Sequence, residues 1–478
     1  MDPIPAPEID LISLAPVLVL SVFAMGVLLL DLFAGKNKSG LVFVSLIGLL
    51  MAAISSFAKT GLPVHSFGGS YVVDHLSVCF TMIFCMSSAL AILLSVEYNK
   101  RVKIKIGEYY SLILFCTVGM ILLASSTDMI MIFLGIEIVS ICLYVMAGIR
   151  RDDPKSNEAS LKYFLLGAFA TGFLLYGMTL LYGTTGTTKL VEIGRLLSTG
   201  EVSSSQPLLM MGVVLLVIGF GFKVASVPFH MWAPDVYQGA PSAVTAFMAV
   251  GPKAAAFAAF YRVFAESFQA LAPSWGMILS VVAVLTMFVG NLGAILQTNI
   301  KRLMAYSSIS HVGYILIAII AGNSLGSASL LFYMLTYTFM IFGTFGIIIL
   351  VGREGEENLE LENYAGLGFR HPLLAMCMSI FLLSMGGMPP LAGFIAKFYI
   401  FQAALNEGYV ILVVFAVLNS VISLYYYLKV IVYMYMKEPT SDLKISMTPI
   451  TVMVVVICVF ATLELGLLPG PVISLASP

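Results

Sequence analysis

Residues 219–241, GFGFKVASVPFHMWAPDVYQGAP, place a lysine inside an apolar stretch and follow it with three prolines. Pro228, Pro234 and Pro241 each lack a backbone N–H, so a regular helix that contains Lys223 cannot continue through them. At membrane depth, broken backbone persists only where it is buried in protein or lines a water-filled cavity. We therefore expect water to reach Lys223, which makes it a candidate proton-loading site; the alternative is a lysine that extends to the membrane surface.

A second stretch of the same design, SMGGMPPLAGFIAKFYIFQ, occupies residues 384–402. Its glycine pair and its proline pair, Pro389 and Pro390, predict two half-helices joined by a loop. Lys397 follows the prolines by two helical turns. Two broken helices that each carry a lysine, one in each half of the chain, are the pattern expected of a duplicated transporter fold. The pair Lys223 and Lys397 is therefore the strongest indication of a transport site.

The whole chain has the composition of a membrane protein. Apolar residues make up 60% of its 478 residues, charged residues only 10%, and the mean hydropathy is +1.01, which excludes a soluble globular protein. A helix needs about 20 apolar residues to cross the hydrocarbon. Little chain is left between such segments, so residues 1–478 should form one all-α polytopic membrane domain. We predict fourteen spans, at residues 10–33, 40–59, 76–96, 108–124, 128–149, 158–183, 207–228, 240–265, 274–296, 302–321, 327–351, 371–405 (interrupted), 409–436 and 447–468.

Basic residues are distributed unevenly over the predicted loops. Fifteen lie on one side and three on the other, and the positive-inside rule assigns the richer side to the cytoplasm. The acidic N-terminal flank, with Asp2, Glu8 and Asp10, is unlike the basic start of a cleavable signal peptide, so the first span should remain in the protein. Both termini should lie on the outer side. The cytoplasmic set is Lys36, Lys38, Lys100, Arg101, Lys103, Lys105, Arg150, Arg151, Lys155, Lys301, Arg302, Arg353, Arg370, Lys437 and Lys444; the outer set is Lys59, Lys189 and Arg195.

Two further ionisable residues lie in mid-span. Glu137 belongs to DMIMIFLGIEIVSICLYVMAG (128–148), and Lys253 follows Pro252 in PSAVTAFMAVGPKAAAFAAF (241–260). A charge near the bilayer centre costs about 2.5–3.5 kcal/mol on insertion scales, so each group must be neutral, solvated or paired. At both positions the alternative to proton transfer is a structural salt bridge or hydrogen bond.

A histidine completes the set of intramembrane groups. In KRLMAYSSISHVGYILIAIIAG (301–322), His311 shares a helix face with Ser307 and Ser308, which precede it by four and three residues. Histidine exchanges protons readily near neutral pH. A lone buried histidine is more often only hydrogen-bonded, but the serines and the other charges favour a relay.

Several ionisable residues nearer the membrane surfaces are weaker candidates. Lys429 is about eight residues from the cytoplasmic end of its span, so extension to the surface explains it as well as function does. Arg262 and Glu266, four residues apart, are expected to form an ion pair at the interface. The secondary candidates are Lys429, His230, Asp235 and Lys162.

Cofactor chemistry is not indicated. All six cysteines fall in apolar spans without a C-x-x-C pair or nearby histidines, which favours core packing. The sequence contains no nucleotide loop, no metal-ligand cluster and no Ser/His/Asp arrangement. Any redox chemistry must therefore belong to other polypeptides, and we expect neither a cofactor nor a metal in this chain.

Three stretches resemble the antiporter-like membrane subunits of respiratory complex I. They are KVASVPFHMWAPDVYQGAPSAVTAFM (223–248), KRLMAYSSISHVGY (301–314) and GMPPLAGFIAKFYIF (387–401), and the resemblance extends over nearly the whole chain. Within this family, EASLKYFLLGAFATGFLLYG (158–177) and NSVISLYYYLKVIVYMY (419–435) are most similar to the subunit N branch of the bacterial NADH-quinone oxidoreductases. The chain stops soon after the fourteenth span, unlike subunit L with its long lateral helix. It also has Lys397 where subunit M is expected to have a glutamate.

The resemblance implies a fold and a role for each matching residue. The fold is two five-helix units of inverted topology, which correspond here to residues 108–265 and 274–436. The implied roles are pairing of Glu137 with Lys223 to set its proton affinity, central proton carriage by Lys253, relay through His311, and exchange with the outer side at Lys397.

The implied function is proton translocation by a membrane subunit of NADH-quinone oxidoreductase in the bacterial inner membrane, driven by electron transfer from NADH to quinone. NADH, FMN, iron–sulfur clusters and quinone would bind to partner subunits. The contacts of this chain would be neighbouring membrane subunits and lipid, with no nucleic acid. Three alternatives remain open at this point: a large subunit of a multisubunit Na⁺/H⁺ antiporter, a membrane subunit of an energy-converting hydrogenase, and a structural subunit whose buried charges lock helix packing.

Overall fold

The structure, a computed structural model, describes residues 9–33, 35, 38–57, 63–104, 106–202, 206–352, 358–439, 445 and 447–477. The predicted loop residues Lys36, Lys59, Lys105, Arg353 and Lys444, and also Asp2 and Glu8, lie outside these ranges. The described helices are α1 (Ala15–Phe33), α2 (Ser39–Phe57), α3 (His75–Arg101), α4 (Glu108–Ser125), α5 (Met129–Ala147), α6 (Pro154–Thr185), α7 (Leu190–Thr199), α8 (Gln206–Val224), α9 (Trp232–Gly239), α10 (Ser242–Tyr261), α11 (Ala272–Ile295), α12 (Ile300–Ala321), α13 (Ser324–Val351), α14 (Leu367–Arg370), α15 (Pro372–Gly386), α16 (Ala392–Asn406), α17 (Val410–Met436), α18 (Pro449–Leu467) and α19 (Gly470–Ala476). A two-stranded antiparallel hairpin, β1 (Val64–Ser66) and β2 (Tyr71–Val73), joins α2 to α3.

Thirteen of the described helices are long and apolar enough to cross a membrane. They correspond to thirteen of the predicted spans. The remaining span, residues 371–405, is divided as expected into α15 and α16, of 15 residues each. The predicted all-α polytopic fold with about fourteen transmembrane helices is therefore confirmed. The hairpin and the amphipathic helix α7 lie in segments that the sequence indicated only as connections.

Side-chain caps set two helix starts differently from the prediction. Helix α6 begins at Pro154 because the Asp153 side chain accepts a hydrogen bond from the first turn at 3.0 Å and proline suits that position. Helix α12 begins at Ile300, so the prediction of a loop at Lys301 is wrong. The same correction applies to the other predicted loop residues that lie in helices: Lys100, Arg101, Lys155, Arg195, Arg302 and Arg370. Lys301 lies in the first turn of α12, is 0% exposed, and donates from Nζ to the carbonyl of Ala240 at 2.6 Å.

The core lies around α10, α12 and α13. Every residue of α10 is buried, because its many alanines and Gly251 allow neighbouring helices to approach closely. Helices α12 and α13 are buried along nearly their whole length. The exposed sides of α1, α6 and α17 carry large apolar residues, as expected of surfaces that face lipid or other membrane subunits. The ionisable residues Lys253 and His311 of these helices are therefore buried in the interior of the fold, away from its outer surface.

The first break separates α8 from α9. Ala225 adopts a left-handed conformation with φ of 64°. The N–H of Val227 donates to Oγ1 of Thr286 on α11, and the indole N–H of Trp232 donates to the carbonyl of Phe222, both at 3.0 Å. Protein groups thus satisfy backbone polar groups that a continuous helix would have paired, as membrane depth requires.

The second break separates α15 from α16 and contains Pro389 and Pro390. Gly387 has a φ of 85°, which favours glycine. The N–H of Gly393 donates to Oγ of Ser384 at 3.0 Å, and a Cβ on Gly393 would collide with the carbonyl of Ser384. The predicted division into two half-helices is therefore observed, with glycine at the point of closest approach.

Backbone hydrogen bonds recur at a constant spacing in the two halves. Residues 127–129 pair with residues 188–190 through two bonds of 2.9 Å, and residues 298–300 pair with residues 359–361 through bonds of 2.7 and 2.8 Å. Every donor and acceptor in the second set lies the same number of residues after the corresponding donor or acceptor in the first set. The segment at the start of α5 and the segment at the start of α12 are thus each hydrogen-bonded, in the same pattern, to a connection later in the chain.

The two breaks also match each other. In the first break the N–H of Ser226 bonds to the carbonyl of residue 221 at 2.8 Å, and in the second the N–H of Met388 bonds to the carbonyl of residue 383 at 3.0 Å. The two donors are separated by the same number of residues as the two acceptors. Lys223 precedes its break, however, whereas Lys397 follows its break. The two lysines therefore do not occupy equivalent positions.

Arg262 ties the C-terminal end of α10 to other helices. It lies in a π-helical turn, is 2% exposed, and donates to Asp74 Oδ1 at 2.7 Å and to the carbonyl of Ala124 at 2.6 Å. The expected ion pair with Glu266 is present at 3.4 Å, but the arginine is buried and its shorter contact is with Asp74. Burial acts to raise the pKa of the Asp74 carboxyl, but the guanidinium outweighs burial and holds that pKa below its usual range.

The substitution Asp74→Asn is expected to lower the free energy of unfolding by about 2 kcal/mol, because it removes the closer of the two carboxylates that face the buried guanidinium of Arg262. Since the pKa of Asp74 is lowered in the folded state, this stabilisation is present above the ordinary carboxyl pKa and is lost as the pH falls through the lowered value. Thermal unfolding of the purified protein in detergent, at neutral and at acid pH, measures both effects. Glu192→Gln, on exposed α7, is the control, and equal destabilisation by both substitutions would contradict the prediction.

Candidate functional site

Glu137 and Lys223 lie at one end of the group of intramembrane charges, and both are partly exposed. The hydroxyl of Thr171 on α6 donates to Oε1 of Glu137 at 2.9 Å. Nζ of Lys223 donates to Oγ of Ser140 at 2.8 Å, one helical turn beyond Glu137 on α5. The lysine is therefore bonded to the helix that carries Glu137, and not to its carboxylate. The carboxylate and the ammonium group make no direct ion pair.

Lys253 occupies the centre of the buried helix α10. Its side chain is 4% exposed, and Nζ donates to Oγ of Ser308 on α12 at 2.7 Å. Nζ also lies 5.5 Å from the ring centroid of Tyr237, which belongs to α9. The lysine thus connects the broken helix of the first half with the helix that carries His311.

His311 is the centre of a hydrogen-bonded group that the sequence indicated only in part. It is 2% exposed, Nδ1 lies 2.5 Å from the hydroxyl of Tyr333, and Nε2 lies 3.1 Å from the hydroxyl of Tyr427. The Tyr427 hydroxyl also lies 2.5 Å from Oγ of Ser307. The predicted serine–histidine face is therefore observed. The two tyrosines were missed because aromatic residues are common in apolar spans, and only the fold brings these hydroxyls to His311.

Lys397 lies beside the second break and is 3% exposed. Its Nζ donates to Oγ of Ser420 on α17 at 2.9 Å and to the carbonyl of Gly386 at 3.2 Å. Nζ also lies 4.6 Å from the ring centroid of Tyr314. That centroid is 6.1 Å from the centroid of His311, so a single aromatic ring separates the lysine from the histidine group.

The three lysines share one kind of partner. Each donates to a serine hydroxyl on another helix: Ser140, Ser308 and Ser420. Among the described residues, none of the three ammonium groups has a carboxylate within 4.0 Å. A hydroxyl can accept a hydrogen bond from an ammonium group and can donate one to a neutral amine. The arrangement therefore suits either protonation state, unlike a salt bridge, which favours the charged state alone.

The secondary candidates differ in their partners. Nζ of Lys429 donates to the carbonyls of Ile295 and Gln297 at 3.2 and 3.1 Å, so it caps the C-terminus of α11. His230 lies in the first break, and its Nδ1 has no hydrogen-bond partner among the described residues. Asp235 on α9 accepts from Lys162 at 2.7 Å and from Arg302 at 2.6 Å.

Metal ligands are not clustered in the described part of the chain. There, no group of three or more histidine, cysteine, aspartate or glutamate side chains could hold a metal ion. The six cysteines are free thiols. The chemistry of the site therefore consists of amines, an imidazole, a carboxylate and hydroxyls.

Comparison with known proteins is consistent with this arrangement. Residues 126–423 match the family described as NADH:quinone oxidoreductase/Mrp antiporter, TM. The chain is 48% identical to NADH-quinone oxidoreductase subunit N of Trichlorobacter lovleyi, over 98% of this chain and 96% of the relative. It is 42% identical to the subunit of the same name from Rhodospirillum rubrum, over 96% and 94% of the two chains.

Solved structures show the same fold. A chain of respiratory complex I from Thermus thermophilus with bound aureothin superposes with a TM-score of 0.83 at 35% identity, covering 97% of this chain and 100% of that chain. A chain of the Mrp complex from Dietzia superposes equally well, at 0.83, but is 22% identical and shows the fold alone, over 98% and 96% of the two chains. The full-length identities and the family match establish that the chain belongs to the subunit N family of the NADH-quinone oxidoreductases.

Proposed function

We propose that this chain translocates protons as a membrane subunit of NADH-quinone oxidoreductase, through Glu137, Lys223, Lys253, His311 and Lys397. The observation that carries the proposal is the shared environment of the three lysines. Each is held in an apolar protein by a serine hydroxyl on a neighbouring helix, and no carboxylate of the described residues lies within 4.0 Å of its ammonium group. Lys429, by contrast, donates to two backbone carbonyls, and Lys397 adds one carbonyl to its serine partner.

The contacts between these groups support a route for the transfer. Ser308, bonded to Lys253, adjoins Ser307, which bonds to the Tyr427 hydroxyl that also contacts His311. Tyr314 then separates His311 from Lys397. Protons would pass from Lys223 to Lys253, through the hydroxyl and imidazole group, and on to Lys397. Buried hydroxyls that have no partner in the described protein, those of Tyr144, Tyr237, Tyr314 and Tyr337, would bind internal water along this route.

Glu137 would control the first step. Its carboxylate is now held by Thr171, while Lys223 is held one turn away by Ser140. Two unit charges 4 Å apart interact by about 4 kcal/mol at an effective dielectric constant of 20. Movement of Glu137 towards Lys223 would favour the protonated lysine, and movement away would release its proton. The energy for this movement would come from quinone reduction in partner subunits, which would also hold NADH, FMN and the iron–sulfur clusters.

Two inverted repeats, at residues 108–265 and 274–436, would give the route an inlet and an outlet on opposite sides. The matched backbone bonds before α5 and α12, and those at the two breaks, support the duplication. We place the chain in the bacterial inner membrane, in contact with neighbouring membrane subunits and lipid, with both termini on the outer side. The excess of basic residues in the loops assigned to the cytoplasm supports this orientation.

The substitutions Lys253→Met and Lys223→Met are each expected to lower NADH-driven proton translocation about a hundredfold, since each removes an acid–base group from the route. Proton uptake into membrane vesicles measures the effect, with native electrophoresis to check assembly. Lys100→Met is the control, because Lys100 is exposed and paired only with Glu97 on the same helix. Normal translocation by both substituted complexes at normal assembly would refute the proposal.

The substitution Tyr427→Phe is expected to slow translocation about tenfold, because it removes the oxygen that joins Ser307 to His311 while it keeps the ring. Tyr109→Phe is the matched control, since the buried Tyr109 hydroxyl has no partner in the described protein. The same vesicle assay applies. Equal rates for the two variants would show that the hydroxyl bridge carries no protons.

Purification of the tagged chain in mild detergent, followed by mass spectrometry of its partners, tests the assembly. Flavin- and iron–sulfur-bearing dehydrogenase subunits are expected among them. Recovery of small membrane subunits alone would favour the alternative, a subunit of an Na⁺/H⁺ antiporter. The chain of the Mrp complex has the same fold as this chain. In that case the coupling scheme would lose its source of energy.

A further inference from the structure

A cluster of charges at the side of the first broken helix takes no part in the route described above. Asp235 on α9 lies between Lys162 of α6 and Arg302 of α12, with contacts of 2.7 and 2.6 Å. Arg302 also donates to Gln238 Oε1 at 3.0 Å, and Lys162 bonds to Glu158 at 2.7 Å. One carboxylate therefore joins a helix of the first half to a helix of the second half.

The helix that carries Asp235 also contacts Lys253 and the residue that precedes Lys223. Three residues before Asp235, the Trp232 indole donates to the carbonyl of Phe222, the neighbour of Lys223. Two residues after it, the Tyr237 ring lies 5.5 Å from Nζ of Lys253. Helix α9 has only eight residues, so these contacts must shift together if the helix moves.

The matched geometry of the two breaks gives an independent reason to single out Asp235. It lies seven residues after Pro228, as Lys397 lies seven residues after Pro390. Asp235 and Lys397 are separated by the same number of residues as the matching hydrogen-bonded residues of the two breaks. The position that holds a buried lysine in the second half thus holds a partly exposed carboxylate, paired with two cations, in the first half.

We propose that Asp235 is a positioning residue for proton transfer, which holds α9 between α6 and α12 so that Lys223 and Lys253 keep the spacing that transfer requires. This inference rests on the proposed function. Asp235 does not carry the proton itself; it acts through α9 on the surroundings of the two lysines. Because Arg302 lies on the helix that also carries Ser308 and His311, the same contact fixes the first half against the relay of the second.

The substitution Asp235→Asn in the whole complex tests this inference. It keeps the shape of the side chain and removes its charge, and we expect proton translocation in vesicles to fall about fivefold, which corresponds to about 1 kcal/mol at 1.36 kcal/mol per factor of ten. Asp235→Glu should restore most of the rate. The double substitution Asp235→Asn with Lys162→Gln should be no slower than Asp235→Asn alone, because the two residues act as one unit.

Glu192→Gln is the matched control, since it neutralises a carboxylate of an exposed ion pair on α7. Should Asp235→Asn fail to assemble, Lys162→Gln replaces it, because that variant keeps the bond between Asp235 and Arg302. Normal translocation by Asp235→Asn while Lys253→Met is impaired would overturn the inference and leave the proposed function intact. Normal translocation by both would overturn the proposed function as well. Loss that only follows reduced assembly, without rescue by glutamate, would make Asp235 merely structural.

Discussion

Polar groups inside the bilayer cannot be satisfied by lipid, and the rest of this structure depends on that constraint. Their partners must be other protein groups or water enclosed by the protein. The N–H of Val227 in the first break is therefore paired with Thr286 of another helix, and the N–H of Gly393 after the second break is paired with Ser384 of the preceding half-helix.

The same constraint distinguishes charges that stabilise from charges that can titrate. Arg262 is held by a carboxylate and a backbone carbonyl, and Lys429 is held by two backbone carbonyls. Lys253 instead bonds to a serine hydroxyl, and Lys397 bonds to a serine hydroxyl and one backbone carbonyl. A hydroxyl can accept a hydrogen bond from an ammonium group and donate one to a neutral amine. The serine hydroxyl is therefore the partner that Lys253 and Lys397 share.

The two breaks match in their backbone more closely than in their chemistry. The hydrogen bonds around the two breaks match, but Lys223 precedes the first break and Lys397 follows the second. The position that corresponds to Lys397 is Asp235, which is ion-paired and partly exposed. Corresponding positions thus carry a basic and an acidic side chain.

The sequence by itself determined the class of fold, because hydropathy and span length are local properties of the chain. It also located both breaks, since proline and glycine act on their own backbone, and it identified the intramembrane ionisable residues. Only the tertiary structure decided which residues meet: Ser420 with Lys397, the hydroxyls of Tyr333 and Tyr427 with His311, and Asp74 with Arg262. Those contacts join residues far apart in the chain through helix packing, which leaves no local signature. For the same reason the sequence placed Lys301 in a loop, whereas the fold buries it in the first turn of α12.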